Sequence, residues 1–332
     1  MSNRSLHAMA LGLVLCACFT ADRASAYCRM TTEGGAQIGS AACIEKGAPL
    51  AWNNPCLSYA VDFRGSQWMD ITDVETAVGA SFETWENADC GGATPNLIFK
   101  PSLEPSRCQR AEFNTTGNVN TIAFLDPWRD PCAHPDDPGY DVWALAVTIV
   151  WHNTTTGEIL DADMMINDQQ ITRGNAGGPY ANCPDEGCLP PDYEGYADLS
   201  SIVTHEAGHF IGIGHCDPDL PSCQQATMFA VADRTSVDKR TLAQDDIDAV
   251  CDVYPPGNLD QSCNATPMGG LLLNCETTAA GDPIACDDPA PAPSNGGCST
   301  MQAPGDTWVT LLLALFGLTA LRRRSGRRAA RS

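Results

Sequence analysis

Residues 202–215 (IVTHEAGHFIGIGH) leave this stretch of chain few ways to fold, and they hold three of the six histidines. His205 and His209 are four apart, so on a helix they project from one face about a turn from each other. That spacing lets two imidazole Nε2 atoms reach one Zn²⁺ at about 2.0–2.1 Å. Glu206, beside the first histidine, then faces the open side of the metal instead of binding it. Gly212 ends the helix by accepting a left-handed backbone, which turns the chain back. His215 arrives from beyond that turn as the third ligand. Three protein ligands leave a fourth position open, the mark of a catalytic and not a structural zinc site. The bland alternative, three hydrogen-bonded histidines on a buried helix, gives no reason for the ligand spacing.

The segment reads H-E-x-x-H-x-x-G-x-x-H and so resembles the metzincin zinc proteases. That family implies a methionine in a tight turn beneath the metal, and Met228, 13 residues after His215, is placed for it. Residues 198–205 are similar to the approach to the active-site helix of matrixins, and 242–254 to their closing helix. With a strand at 57–61, a helix ending in Phe82 and Trp85, and a strand at 96–99, the matrixin likeness covers about residues 49–255. It implies an α+β metzincin fold: a twisted, mostly parallel sheet with an antiparallel edge strand, packed on the active-site helix, plus a C-terminal helix. It also implies Zn²⁺ on His205, His209 and His215, with Glu206 as general base and Met228 as a packed floor. An extended protein or peptide substrate would lie along the edge strand 143–151.

Departures from the family pattern are equally specific. Matrixins carry a structural zinc on several histidines, but the segment 130–165 holds only His134 and His152, so that metal is not expected. Asp161 and Asp163 are candidate Ca²⁺ ligands; the plainer reading is that acids in a surface hairpin are solvated. Only residues 27–46 precede the domain, and Cys28-Arg29 is a poor stand-in for an inhibitory cysteine switch.

Periodicity supplies the remaining elements. Val74, Val78, Phe82 and Trp85 follow helical spacing within residues 70–89, with Asp73 or Thr72 as N-cap. Strands are expected at 96–100 and 120–126, and a hairpin of 143–151 and 158–167 turns through His152–Gly157. Residues 168–196 form a long loop, helices follow at 199–212 and 241–254, and 257–297 is a cysteine-pinned tail or linker.

The two ends carry addresses. Residues 1–26 have the Arg, apolar run and Ala24-Ser25-Ala26 cleavage site of a secretory signal peptide. Residues 308–321 (WVTLLLALFGLTAL) form an uncharged run followed at once by Arg322, Arg323, Arg324, Arg327 and Arg328. It is shorter than the roughly 20 residues that span a bilayer. With Gly297-Cys298-Ser299 before it, segment 298–332 resembles the C-terminal sorting signals of myxobacterial surface proteins, with a plain membrane anchor as the alternative. The expected product is exported, extracellular or surface-anchored, meeting membrane only through this segment, and monomeric.

The formal charge is −22, and between the two end segments (27–297) 11 basic residues face 39 acidic ones, a balance of −28. Such a chain lacks the basic stripe that nucleic acid requires. The same 27–297 segment holds 14 of the 17 cysteines, an even number suited to disulfides in an exported chain. Short-range candidates are Cys28–Cys43, Cys183–Cys188 and Cys216–Cys223. The function expected is a zinc-dependent endopeptidase in residues 47–256, against a catalytically silent adhesion or binding module on the same scaffold.

Overall fold

The computed structural model describes residues 27–33, 43, 46–131, 139–172, 176–182, 196–231, 236–257 and 262–277, and the backbone of 310–315. The signal segment, His134, the Cys183–Cys188 pair, Cys298 and the arginine cluster lie outside the described residues.

Strands β1 (Cys56–Val61), β2 (Ile98–Pro101), β3 (Thr121–Leu125), β4 (Ala144–His152) and β5 (Ile159–Asn167) form the main sheet in the order β2-β1-β3-β5-β4. The β1–β2, β1–β3 and β3–β5 pairs are parallel, and β4 runs antiparallel to β5. This is the mixed, mostly parallel sheet of the expected α+β fold. The long apolar runs of β4 and β5 follow from cover on both faces. Ala146, Val150, Ala162, Met164 and Ile166 pack toward the helices, while Val147, Ile149 and Met165 face Trp128 and Tyr140 on the other side.

Two short strands, β6 (Tyr180–Ala181) and β7 (Ala197–Asp198), pair in parallel and lead into helix α2 (Leu199–Phe210). Helix α1 (Ile71–Glu86) lies against α2 and buries Val74, Val78, Phe82 and Trp85, as their spacing predicts. Phe82 stacks on Tyr59 at 4.4 Å and meets Phe210 edge-on at 5.2 Å. Trp85 donates its indole N–H to Thr204 O at 2.8 Å, which fixes α1 to the middle of α2. The N-cap of α1 is Asp70, not Asp73 or Thr72; its carboxylate accepts from Thr72 N. Helix α3 (Gln244–Val253) closes this layer.

The face of the sheet remote from α2 is covered by 102–120 and by the tail 262–277. Cys108–Cys275 joins these two segments, and Cys56–Cys263 and Cys90–Cys251 tie distant parts of the chain. Cys28–Cys43 and Cys216–Cys223 form as the short spacings suggest.

The C-terminal apolar run forms no helix among the described residues. Over Thr310–Leu315 the apolar C-terminal run is a strand, β8, paired antiparallel to the outer edge of β4. Among the described residues no helix is long and apolar enough to cross a membrane. The physical reason is that a short apolar run next to an open sheet edge satisfies its backbone there by pairing.

Candidate metal centre

Asp198 opens α2 by accepting Ser201 N at 2.8 Å, and Arg240 pairs with the same carboxylate. Every residue of α2 is buried, which carries His205, Glu206 and His209 into the interior. The helix stops at Phe210 because Gly212 takes φ 85°; a Cβ there would lie 2.5 Å from Leu50 O. Chain reversal brings His215 over the helix. Its Nε2 lies 3.2 Å from Nε2 of His205 and 3.2 Å from Nε2 of His209.

Those distances discriminate between packing and binding. A tetrahedral zinc with Zn–N of about 2.0–2.1 Å has N···N edges of about 3.3–3.4 Å. The Nδ1 atoms decide the tautomers: His205 Nδ1 lies 2.6 Å from Thr227 O, and His209 Nδ1 lies 2.8 Å from Ile213 O. A carbonyl accepts, so each Nδ1 carries the proton and each Nε2 presents a lone pair. Burial also holds all three imidazoles below the usual histidine range, His209 at about 4. The His205 and His209 lone pairs converge with the Nε2 of His215, an arrangement that a cation between them stabilises. Zinc fits this donor set.

The turn beneath is gripped from both sides. Asp246 accepts Thr227 N at 2.7 Å, Met228 N at 3.0 Å and Ala243 N at 2.9 Å. Burial raises its carboxyl to about 6 against the pull of those donors. The buried Lys239 ammonium donates to Thr227 O at 2.8 Å, and to Ala226 O and Phe229 O. Burial brings that amine down to about 7, opposed by Asp246 and Asp238. Met228 is thereby pressed against α2 so closely that a Cβ on Gly208 would lie 2.2 Å from its sulfur.

Glu206 is fully buried beside the first histidine. Its Oε2 accepts the Thr148 hydroxyl at 2.6 Å, and its Oε1 has no hydrogen-bond partner among the described residues. Burial pushes the carboxyl up to about 8, and the Thr148 bond draws it down.

A family model described as matrixin matches residues 51–255, well over half of the chain. The chain belongs to the matrixin family. No curated protein was found to match it. As a matrixin it is a zinc metalloprotease in general class, and the His205, His209 and His215 cluster is the set that fits its catalytic zinc.

Other expected ligands fare differently in this matrixin. Asp161 and Asp163 are not solvated; both are buried, because 107–119 and the tail roof over them. Asp163 accepts Thr121 N at 2.8 Å and Glu112 N at 2.9 Å, and Asp161 accepts Asn118 Nδ2 at 2.6 Å. One oxygen, Asp161 Oδ2, is left for Ca²⁺, which takes six to eight. The pair is a poor calcium site. His152, where no structural zinc was expected, is also buried, with Nδ1 3.3 Å from Val150 O. Sequence reasoning missed Thr148, Lys239 and Gly208; the only available signal for Gly208 was a glycine in mid-helix between two ligands.

Proposed function

We propose that this matrixin is an exported endopeptidase that hydrolyses internal peptide bonds of extended protein segments, with Glu206 as general base. The observation that carries the reading is the convergence of the His205, His209 and His215 Nε2 atoms beside a buried carboxylate. Zinc, when bound by His205, His209 and His215, supplies a Lewis acid that polarises the scissile carbonyl and acidifies water. Glu206 accepts the proton of the attacking water and passes it to the leaving amine nitrogen. Met228 packs under the histidines and keeps them in register. Once β8 is displaced, the outer edge of β4 presents main-chain donors and acceptors, and an extended substrate binds there as an added strand. That edge carries β8 in the full chain, which marks it as able to accept a strand.

Five disulfides among the described residues suit an oxidising compartment and support export. The C-terminal segment 298–332 would then hold the protein at the cell surface. Fractionation of producing cells tests this: full-length protein in the cytosol overturns it.

The activity is tested on the mature chain loaded with one zinc, using casein, gelatin and a broad peptide library. Glu206→Ala is expected to retain zinc and to lose cleavage. A wild-type chain that binds one zinc yet cleaves no member of the library overturns the reading, and the silent binding module takes its place.

A further inference from the structure

Thr148 stands in the middle of β4, two residues from Ala146 and two from Val150, so its side chain shares their face toward α2. It is completely buried. Its Oγ1 lies 2.6 Å from Glu206 Oε2 and 3.2 Å from Glu206 O. A hydroxyl has one proton to give, and the shorter contact to a carboxylate is the stronger bond. The longer one, to a carbonyl of the helix backbone, marks only how closely strand and helix approach.

This is the one hydrogen bond that the Glu206 carboxylate receives from the described residues. The last torsion of a glutamate is broad and roughly two-fold, so an unanchored carboxylate turns freely about it. Threonine is well suited to anchor it, because a β-branched side chain has few χ1 states available. Fixing Oε2 leaves Oε1 as the oxygen presented away from β4, without a protein partner.

The geometry points to Thr148 as a positioning residue for Glu206: it clamps Oε2 and so aims Oε1 at the proton to be taken. The inference rests on Glu206 being the base proposed above. It has a structural corollary. The strand whose outer edge takes the substrate main chain is the same strand that orients the base, so substrate and base share one frame of reference.

The experiment uses the zinc-loaded mature chain. Thr148→Val keeps the shape and removes the hydroxyl; Thr148→Ser keeps the hydroxyl. Loss of such an outer contact typically costs about 10–100-fold in activity. Thr148→Val is therefore expected to lose that factor in kcat, with KM within about twofold of wild type and one zinc per chain. Thr148→Ser is expected to recover most of kcat. Where Thr148→Val fails to fold, Thr148→Ser against Thr148→Ala at equal zinc content gives the same contrast.

A second readout is independent of turnover. In the metal-free protein, Thr148→Val is expected to shift one carboxylate stretch in the infrared difference spectrum. The same substitution on a Glu206→Gln background is expected to shift none. An active wild type with unchanged kcat and unchanged carboxylate bands in Thr148→Val overturns this inference and leaves the proposed function standing. An inactive, zinc-loaded wild type overturns the proposed function, and this inference with it.

Discussion

Two clusters of buried titratable groups lie on opposite faces of the same sheet, and they are built to opposite rules. On the α2 face, His205 and His209 spend their Nδ1 protons on backbone carbonyls and turn their Nε2 atoms, with that of His215, to one point. On the far face, Asp161 and Asp163 spend three of their four oxygens on N–H donors from 112, 118 and 121. The first arrangement is left with a shared deficit of positive charge. The second leaves Asp161 Oδ2 without a hydrogen-bond partner, and burial raises both carboxyls. Burial alone does not make a metal site; what matters is which atoms remain unpaired and whether they converge.

Chelation is the harshest test of that contrast. Removing zinc is expected to abolish peptide cleavage, and adding calcium to the chelated protein to restore none of it. A calcium-dependent rise in Tm that vanishes in Asp161→Asn would break the distinction, because the acid pair would then be a cation site after all.

Next in size is Gly208→Ala. The added methyl group meets Met228 sulfur at 2.2 Å and Trp85 at 2.8 Å, so helix and turn must part. Overpacking of this kind costs about 1–3 kcal/mol. Denaturant unfolding is expected to show that loss together with weaker zinc binding. Unchanged stability would mean that Met228 is free to move and is not a floor.

The mildest change falls on the far face. Burial and the neighbouring carboxylate hold Asp161 well above the ordinary value of 3.8, and Asp163 is raised to about 8. The folded state thus keeps a proton that the unfolded chain releases above about pH 4. Stability therefore falls as pH rises from about 4 toward 8, by up to about 1.4 kcal/mol per pH unit for each proton held. Asp161→Asn supplies a permanent donor toward Asp163 and is expected to flatten this slope in Tm against pH. A slope identical to wild type would locate the pH dependence elsewhere.

The same contrast explains what could be read from the chain. The three zinc ligands were legible because they are local: helix spacing and one glycine turn suffice to bring them together. Helix α1, the individual strands and the Cys28–Cys43 and Cys216–Cys223 disulfides were legible for the same reason. Thr148 was not, because its partner Glu206 is 58 residues away and the contact exists only once β4 lies on α2. The burial of Asp161 and Asp163 was misread as exposure, since a hairpin shows no sign of the segments that later cover it. Those covers are held by Cys108–Cys275, a pair separated by 167 residues. The pairing of the C-terminal apolar run with β4 was not legible, because composition records hydrophobicity and not a distant sheet edge.

The turn carrying Met228 is held almost wholly through its peptide groups: Asp246 takes the N–H groups, and Lys239 takes the carbonyls of Ala226, Thr227 and Phe229. The protein grips this segment as a receptor grips a peptide whose identity it does not read. Side chains such as Gln225 and Val231, which line a neighbouring cavity with Lys239, are therefore not part of the grip. They can change in size and polarity over evolution while the sulfur under the histidines stays where it is. The bed of the zinc site and the wall of the adjoining cavity are made from one loop, yet they are free to evolve apart.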